Sequence, residues 1–125
     1  MFVFPSVKEG LPISLIKALA CGLTVISSDC LSGPREILTP DTSHDDPPLK
    51  EPEFAQYGIL MPTPDGVLRD HTQALTWCEK MWAEWMTIVG SDENIRRHYS
   101  SIASNRALEF DVKKICKMLL DIIYM

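Results

Sequence analysis

Residues 5–12 read Pro5-Ser6-Val7-Lys8-Glu9-Gly10-Leu11-Pro12 and separate two apolar segments. Met1–Phe4 is a short strand signal cut off by Pro5. Leu11–Cys21 reads as a helix, with Pro12 in its first turn and Gly22 just past its end. A glycine loop between a strand and a helix start faces the carboxyl edge of a parallel sheet, where such sheets bind ligands. Gly10 has no side chain, so a ligand can approach the backbone closely. The N–H groups of Leu11, Ile13 and Ser14, aided by the helix dipole, favour an anion. Pro12 supplies no N–H and leaves a gap in this cradle. Glu9 is an acceptor-only group suited to hydroxyls. Backbone amides for phosphate beside a carboxylate for hydroxyls match the needs of a sugar nucleotide. The same turn also occurs in α/β proteins with no ligand, so spacing alone does not decide.

The elements around this loop read as an α/β chain. Thr24–Ser28 is a β-branched strand signal, Gly33–Leu38 opens a short helix at Pro34, and Tyr57–Met61 is a third strand closed by Pro62. Strands separated by crossover segments predict a parallel sheet. The expected fold is α/β: a Rossmann-like partial parallel sheet of about three strands, flanking helices and a helical C-terminal third. In that third, Leu75, Cys78, Trp82, Trp85 and Val89 share one helical face, and Gly90 is expected to stop the helix. Ile95, Tyr99, Ile102 and Arg106 line a second helix. Asp111 caps a third, with Val112, Ile115, Leu119, Ile122 and Ile123 along one side. Trp77, Trp82 and Trp85 fall close together, but Trp82 and Trp85 lie on the apolar stripe and read as core, with Trp77 at its border.

Charge is distributed unevenly. Seventeen acids against twelve bases leave the 125-residue chain at −5. The whole excess falls between residues 41 and 70, which hold seven acids against Lys50 and Arg69. Six prolines of residues 40–64 share that stretch, so residues 39–53 are expected to form an acidic, Pro-rich surface loop. His44, Asp45 and Asp46 there read as a solvated loop rather than a metal site. An acidic chain without clustered Lys and Arg argues against nucleic-acid binding. Cys21, Cys30, Cys78 and Cys116 have no paired zinc-ligand spacing. Cys21 and Cys78 read as small buried thiols of a reducing compartment. Neither a signal peptide nor a membrane-spanning run is legible.

Phe2-Val3-Phe4-Pro5-Ser6, Glu9-Gly10-Leu11-Pro12 and Leu15–Ile26 together resemble glycosyltransferase family 4. So do Ser32-Gly33-Pro34-Arg35-Glu36-Ile37-Leu38, Tyr57–Pro62 and the segment around Arg106–Phe110. The family consists of retaining enzymes built from two Rossmann-like domains, the GT-B architecture. The resemblance implies that residues 1–125 are a single partial GT-B C-terminal, donor-binding domain. It implies transfer of a sugar from a nucleotide-sugar donor to a saccharide or lipid-linked acceptor, with no metal and no cofactor. Glu9 matches the first of the family's two glutamates, which lies beside the donor sugar, and is the candidate catalytic residue. Gly10, Leu11, Ile13 and Ser14 would contact sugar and phosphate. The second glutamate, eight positions on, is Lys17 here. Lys is a donor only, so it suits a phosphate and cannot accept from ribose hydroxyls.

Family members carry an N-terminal acceptor domain, and the resemblance implies that Met1–Phe4 is a strand internal to the donor half. The missing domain or a partner chain is therefore an expected partner. The strand edge at Met1–Ser6 is expected to be unpaired and open to self-association. Location in the cytoplasm, including the cytoplasmic face of a membrane, is the expected setting. Two other readings stay open: a non-catalytic fragment docking on a partner chain, and a generic Rossmann-like nucleotide binder. The second lacks any G-x-G-x-x-G after a strand.

Overall fold

A computed structural model describes residues 1–43 and 47–125. His44, Asp45 and Asp46 lie outside the described residues. In chain order the elements are β1 (Phe2–Phe4), α1 (Ile13–Ala20), β2 (Val25–Ser28), α2 (Pro34–Leu38), β3 (Glu53–Phe54), β4 (Ile59–Met61), α3 (Trp77–Ser91), α4 (Glu93–Leu108) and α5 (Val112–Ile123). The sheet has the order β1-β2-β4-β3. The first three of these strands run parallel, with Phe2 opposite Val25 and Ile26 opposite Ile59. This is the expected α/β, Rossmann-like arrangement. A short fourth strand, β3, adds antiparallel with Glu53 opposite Leu60. It takes up Glu53, at the end of the acidic stretch. Two residues carry no readable periodicity, so only pairing with β4 defines this strand.

Helices cover both faces of the sheet, which is why β2 is buried throughout. Side-chain alternation along the strands sorts the core into two groups. Val25 and Leu60 point to Leu15, Ala18, Leu19, Ile37 and Leu38 of α1 and α2. Ile26, Ile59 and Met61 point to Trp82 and Val89 of α3 and to Tyr99 of α4. The Trp82 indole donates to the Pro62 carbonyl at 3.0 Å, so its one polar atom is satisfied inside the core. The Tyr99 hydroxyl donates to the Ala55 carbonyl at 3.0 Å, and burial pushes its pKa up to about 12. Trp77 is exposed, at the border of the stripe.

Both ends of α3 depart from expectation. α3 passes through Gly90, since a single glycine weakens a helix interior without ending it. The break falls at Asp92, whose carboxylate accepts from the Asn94 and Ile95 amides at 2.9 and 3.1 Å and starts α4. α3 itself begins with a capping box between Thr76 and Glu79, so Leu75 lies outside the helix and is exposed. Arg106 does not belong to the apolar line of α4. Its guanidinium donates to the carbonyls of Ile37 and Glu36, both at 2.7 Å, and caps the C-terminal turn of α2. Cys21 is exposed rather than buried, because it falls at the C-cap of α1, where the chain turns away from the core.

Arg35 joins three elements. Its Nε and Nη2 donate to the two carboxylate oxygens of Asp29 at 2.9 and 2.8 Å, and Nη2 also reaches Glu53 at 3.2 Å. This fork ties α2 to the end of β2 and to β3. Arg35 and Asp29 are nearly buried, whereas Glu53 is about one third exposed. Hydrogen bonding to Asp29 holds the guanidinium pKa above its usual value. Replacing Arg35 by Ala leaves Asp29 without its cation. The expected loss is about 2–4 kcal/mol in urea unfolding, toward the low side of a broken buried pair because Glu53 is partly hydrated. Arg35→Lys is expected to recover only part of it, since an ammonium cannot bind both Asp29 oxygens in parallel.

Candidate functional site

The parallel strands β1 and β2 deliver two loops to the same carboxyl edge. The first, residues 5–12, carries Glu9 and Gly10. The second, residues 29–33, runs from Asp29 to Gly33 at the start of α2. Three contacts join them. Ser28 Oγ donates to the Ser6 carbonyl. Ser32 Oγ donates to the Glu9 carbonyl at 2.8 Å. Gly33 packs directly on the Gly10 carbonyl and on Pro12. Gly33 has φ +77°, and a Cβ there would overlap the Gly10 oxygen and come within 2.6 Å of Pro12 Cδ. Only glycine meets both demands.

Gly10 differs from Gly33. An added Cβ on Gly10 meets nothing within 4 Å, so its outer side opens to solvent. Within the loop, Ser6 Oγ donates to Glu9 Oε1 at 2.5 Å and orients the half-buried carboxylate. A carboxylate has about four acceptor positions, so the Ser6 bond leaves capacity for further donors.

α1 begins two residues later than expected. Pro12 is its N-cap, with φ −74° and ψ 95°, and offers no side-chain cap. Its carbonyl accepts from the Leu15 amide at 3.0 Å. Ile13 and Ser14 are thus the first two helical residues, and Leu11 precedes the helix. Leu15, Ala18 and Leu19 face the core. Ile13, Ser14 and Lys17 share the opposite, exposed face, being spaced at three and four. The structure therefore brings Glu9, Gly10, Leu11, Ile13 and Ser14 to one end of α1, with Lys17 one turn further along.

A cavity of about 280 Å³ lies behind the second loop, lined in part by Asp29, Cys30, Ser32, Arg35 and Thr63. Glu9 and Gly10 do not line it. Burial raises the Cys30 thiol pKa, with a smaller upward push from Glu9 opposed by a hydrogen bond involving Ser28. The sequence places Ser28 at a strand end and Ser32 and Gly33 ahead of a short helix within the family resemblance, and gives none of them a part in the site. Their partners lie more than twenty residues away along the chain. Among the described residues, no group of three or more His, Cys, Asp or Glu side chains is disposed to hold a metal ion.

The profile of a family described as Glycosyl transferases group 1 matches residues 1–64, which carry both loops and all four strands. An uncharacterized glycosyltransferase of Methanocaldococcus jannaschii is 41% identical over 119 residues, 93% of this chain and 29% of that protein. The lipopolysaccharide 1,6-galactosyltransferase of Escherichia coli is 49% identical over 35 residues, 28% of this chain and 10% of that protein. An N,N'-diacetylbacillosaminyl-diphospho-undecaprenol alpha-1,3-N-acetylgalactosaminyltransferase of Campylobacter jejuni is 53% identical over 30 residues, 24% of this chain and 8% of that protein. The chain thus spans less than a third of the length of these curated relatives. No solved structure matches it. Because the match covers the loop-bearing half and the longest alignment covers nearly all the rest, the chain belongs to the group 1 glycosyl transferases.

Proposed function

We propose that the chain is the donor-binding part of a retaining GT-B glycosyltransferase. It transfers a sugar from a nucleotide-sugar donor to a saccharide or lipid-linked acceptor. The observation that carries this reading is the open side of Gly10, set at the carboxyl edge beside the Glu9 carboxylate. The diphosphate lies against the amides at the start of α1, near Ile13 and Ser14. Glu9 accepts hydrogen bonds from the sugar hydroxyls and orients them. Lys17, on the same face of α1, attracts a phosphate oxygen. The acceptor class is supported by two relatives, one named for lipopolysaccharide and one for a diphospho-undecaprenol substrate.

The acceptor and the other wall of the cleft come from the remaining domain or from a partner chain. β1 is the end strand of the sheet, so its outer edge is available to a further strand or to a second copy. That edge also favours a second reading, in which the chain is a non-catalytic piece that docks on a partner. The setting is the cytoplasm or the cytoplasmic face of a membrane, where nucleotide sugars and lipid-linked acceptors meet.

Titration calorimetry with uridine and guanosine diphosphate sugars tests the donor site. One of them is expected to bind, and Glu9→Ala to weaken it about tenfold or more, the scale of a lost charged hydrogen bond. Gly10→Val is expected to weaken it similarly while leaving thermal unfolding almost unchanged, because the added side chain meets only open space. Absence of heat with every diphosphate sugar, or undiminished binding by Gly10→Val, would overturn the reading.

Gly33→Ala separates bracing from contact. It is expected to lower stability by about 1–3 kcal/mol, through the positive φ and the clash with the first loop, and to weaken donor binding in parallel. In a radiolabelled sugar-transfer assay the chain alone is expected to show no turnover, since positioning donor and acceptor needs both walls of the cleft. Turnover by the isolated chain would contradict this.

A further inference from the structure

We propose that Ser6 and Ser28 are positioning residues for the donor sugar, acting through Glu9. The inference rests on the donor-site reading above and names the groups that set its preference for a sugar-bearing nucleotide. Each of the two loops at the carboxyl edge holds a carboxylate, and the two are held differently. Asp29 is nearly buried, and the Arg35 fork binds both of its oxygens. Its acceptor capacity is largely taken up in holding α2. Glu9 is half-buried, and among the described residues no Lys, Arg or His lies within ion-pair distance of it. Its carboxylate is held instead by the Ser6 hydroxyl, which donates to Oε1 at 2.5 Å. A hydroxyl has a single proton to give, so it leaves the carboxylate its charge and most of its acceptor positions. A guanidinium in the same place would bind both oxygens and neutralise them.

The Ser6 hydroxyl has two acceptors in reach, Glu9 Oε1 and the Lys8 carbonyl at 3.4 Å. Its proton goes to the carboxylate, because the shorter, charge-assisted bond is the stronger. Ser6 is itself held from below. Ser28 is fully buried at the end of β2, and its hydroxyl donates to the Ser6 carbonyl. Ser32 Oγ holds the Glu9 carbonyl at 2.8 Å. Hydroxyls therefore fix the backbone and the carboxylate of Glu9 together. A free glutamate side chain turns about several bonds and loses that freedom each time a ligand hydroxyl binds. Here folding has already ordered it, so Glu9 meets the sugar in a preset orientation. The consequence is selective. Loss of the Ser6 hydroxyl loosens the group that binds the sugar and leaves the amides of α1, which bind the diphosphate, in place.

Titration calorimetry on the full chain tests this with the uridine or guanosine diphosphate sugar that the parent binds and with the matching nucleoside diphosphate. Ser6→Ala is expected to weaken the sugar nucleotide roughly three- to tenfold, the scale of ordering one freed side chain, and to leave the nucleoside diphosphate unchanged. Ser28→Ala is expected to shift the same preference in the same direction, since it frees the Ser6 carbonyl. Ser6→Thr keeps the hydroxyl and is expected to restore the parent's preference. In a Glu9→Ala background, Ser6→Ala is expected to change neither affinity further, because its effect passes through the carboxylate. Equal weakening of both ligands by Ser6→Ala, or full additivity with Glu9→Ala, overturns the proposal, since Ser6 then supports the loop alone. Undiminished sugar-nucleotide binding by Ser6→Ala overturns it and leaves the donor-site reading standing. A parent that binds no diphosphate sugar brings down the donor-site reading itself, and this proposal with it.

Discussion

Gly33 lies so close to the Gly10 carbonyl that no side chain fits between the two loops. That approach is the constraint on which the rest of the site depends. It presses the loop after β1 against the loop after β2 and leaves the outer side of Gly10 open. A bulkier residue at position 33 would force the loops apart, and Ser32 Oγ would no longer reach the Glu9 carbonyl. The loop carrying Glu9 thus takes its shape partly from a segment more than twenty residues downstream.

The contact is held from behind by charge and from below by packing. Arg35 grips Asp29 at the root of the second loop and Glu53 on β3, so α2, β2 and the sheet's antiparallel edge move together. An Arg fork onto a nearly buried carboxylate is directional, and it sets the angle at which α2 leaves Gly33. Beneath it, Leu15, Ala18 and Leu19 seat α1 on the sheet beside Val25 and Leu60, and this aims the first turn of α1 at the same edge. Ser28 adds a tether between the strand ends through the Ser6 carbonyl. Stability and site geometry therefore rest on shared residues, and Arg35 belongs to both without facing the open side of Gly10.

The two ends of the chain have opposite characters. Residues 1–64 supply the sheet, with α1 and α2 on one face and α3 and α4 covering the other, and carry the family match. α5, at the other end, buries nothing and turns a wide apolar arc to its surroundings. Hydrophobic surface of that extent costs free energy in water, of the order of 25 cal/mol for each Å².

What the sequence determined by itself was local. The run Glu9-Gly10-Leu11-Pro12, the β-branched strand at Val25, the apolar face of Trp82 and Val89 and the Asp111 cap all depend on neighbours within a turn or two. They were legible for that reason. Only the tertiary structure decided that Gly33 braces Gly10, that Arg35 bridges Asp29 and Glu53, and that Arg106 caps α2 instead of lining α4. It also decided that α3 runs through Gly90, that Cys21 is exposed, and that the periodic face of α5 has no cover within the chain. A hydrophobic period shows that a face favours burial, but partners are chosen by contacts between distant segments, and those form only when the sheet brings the strand ends together.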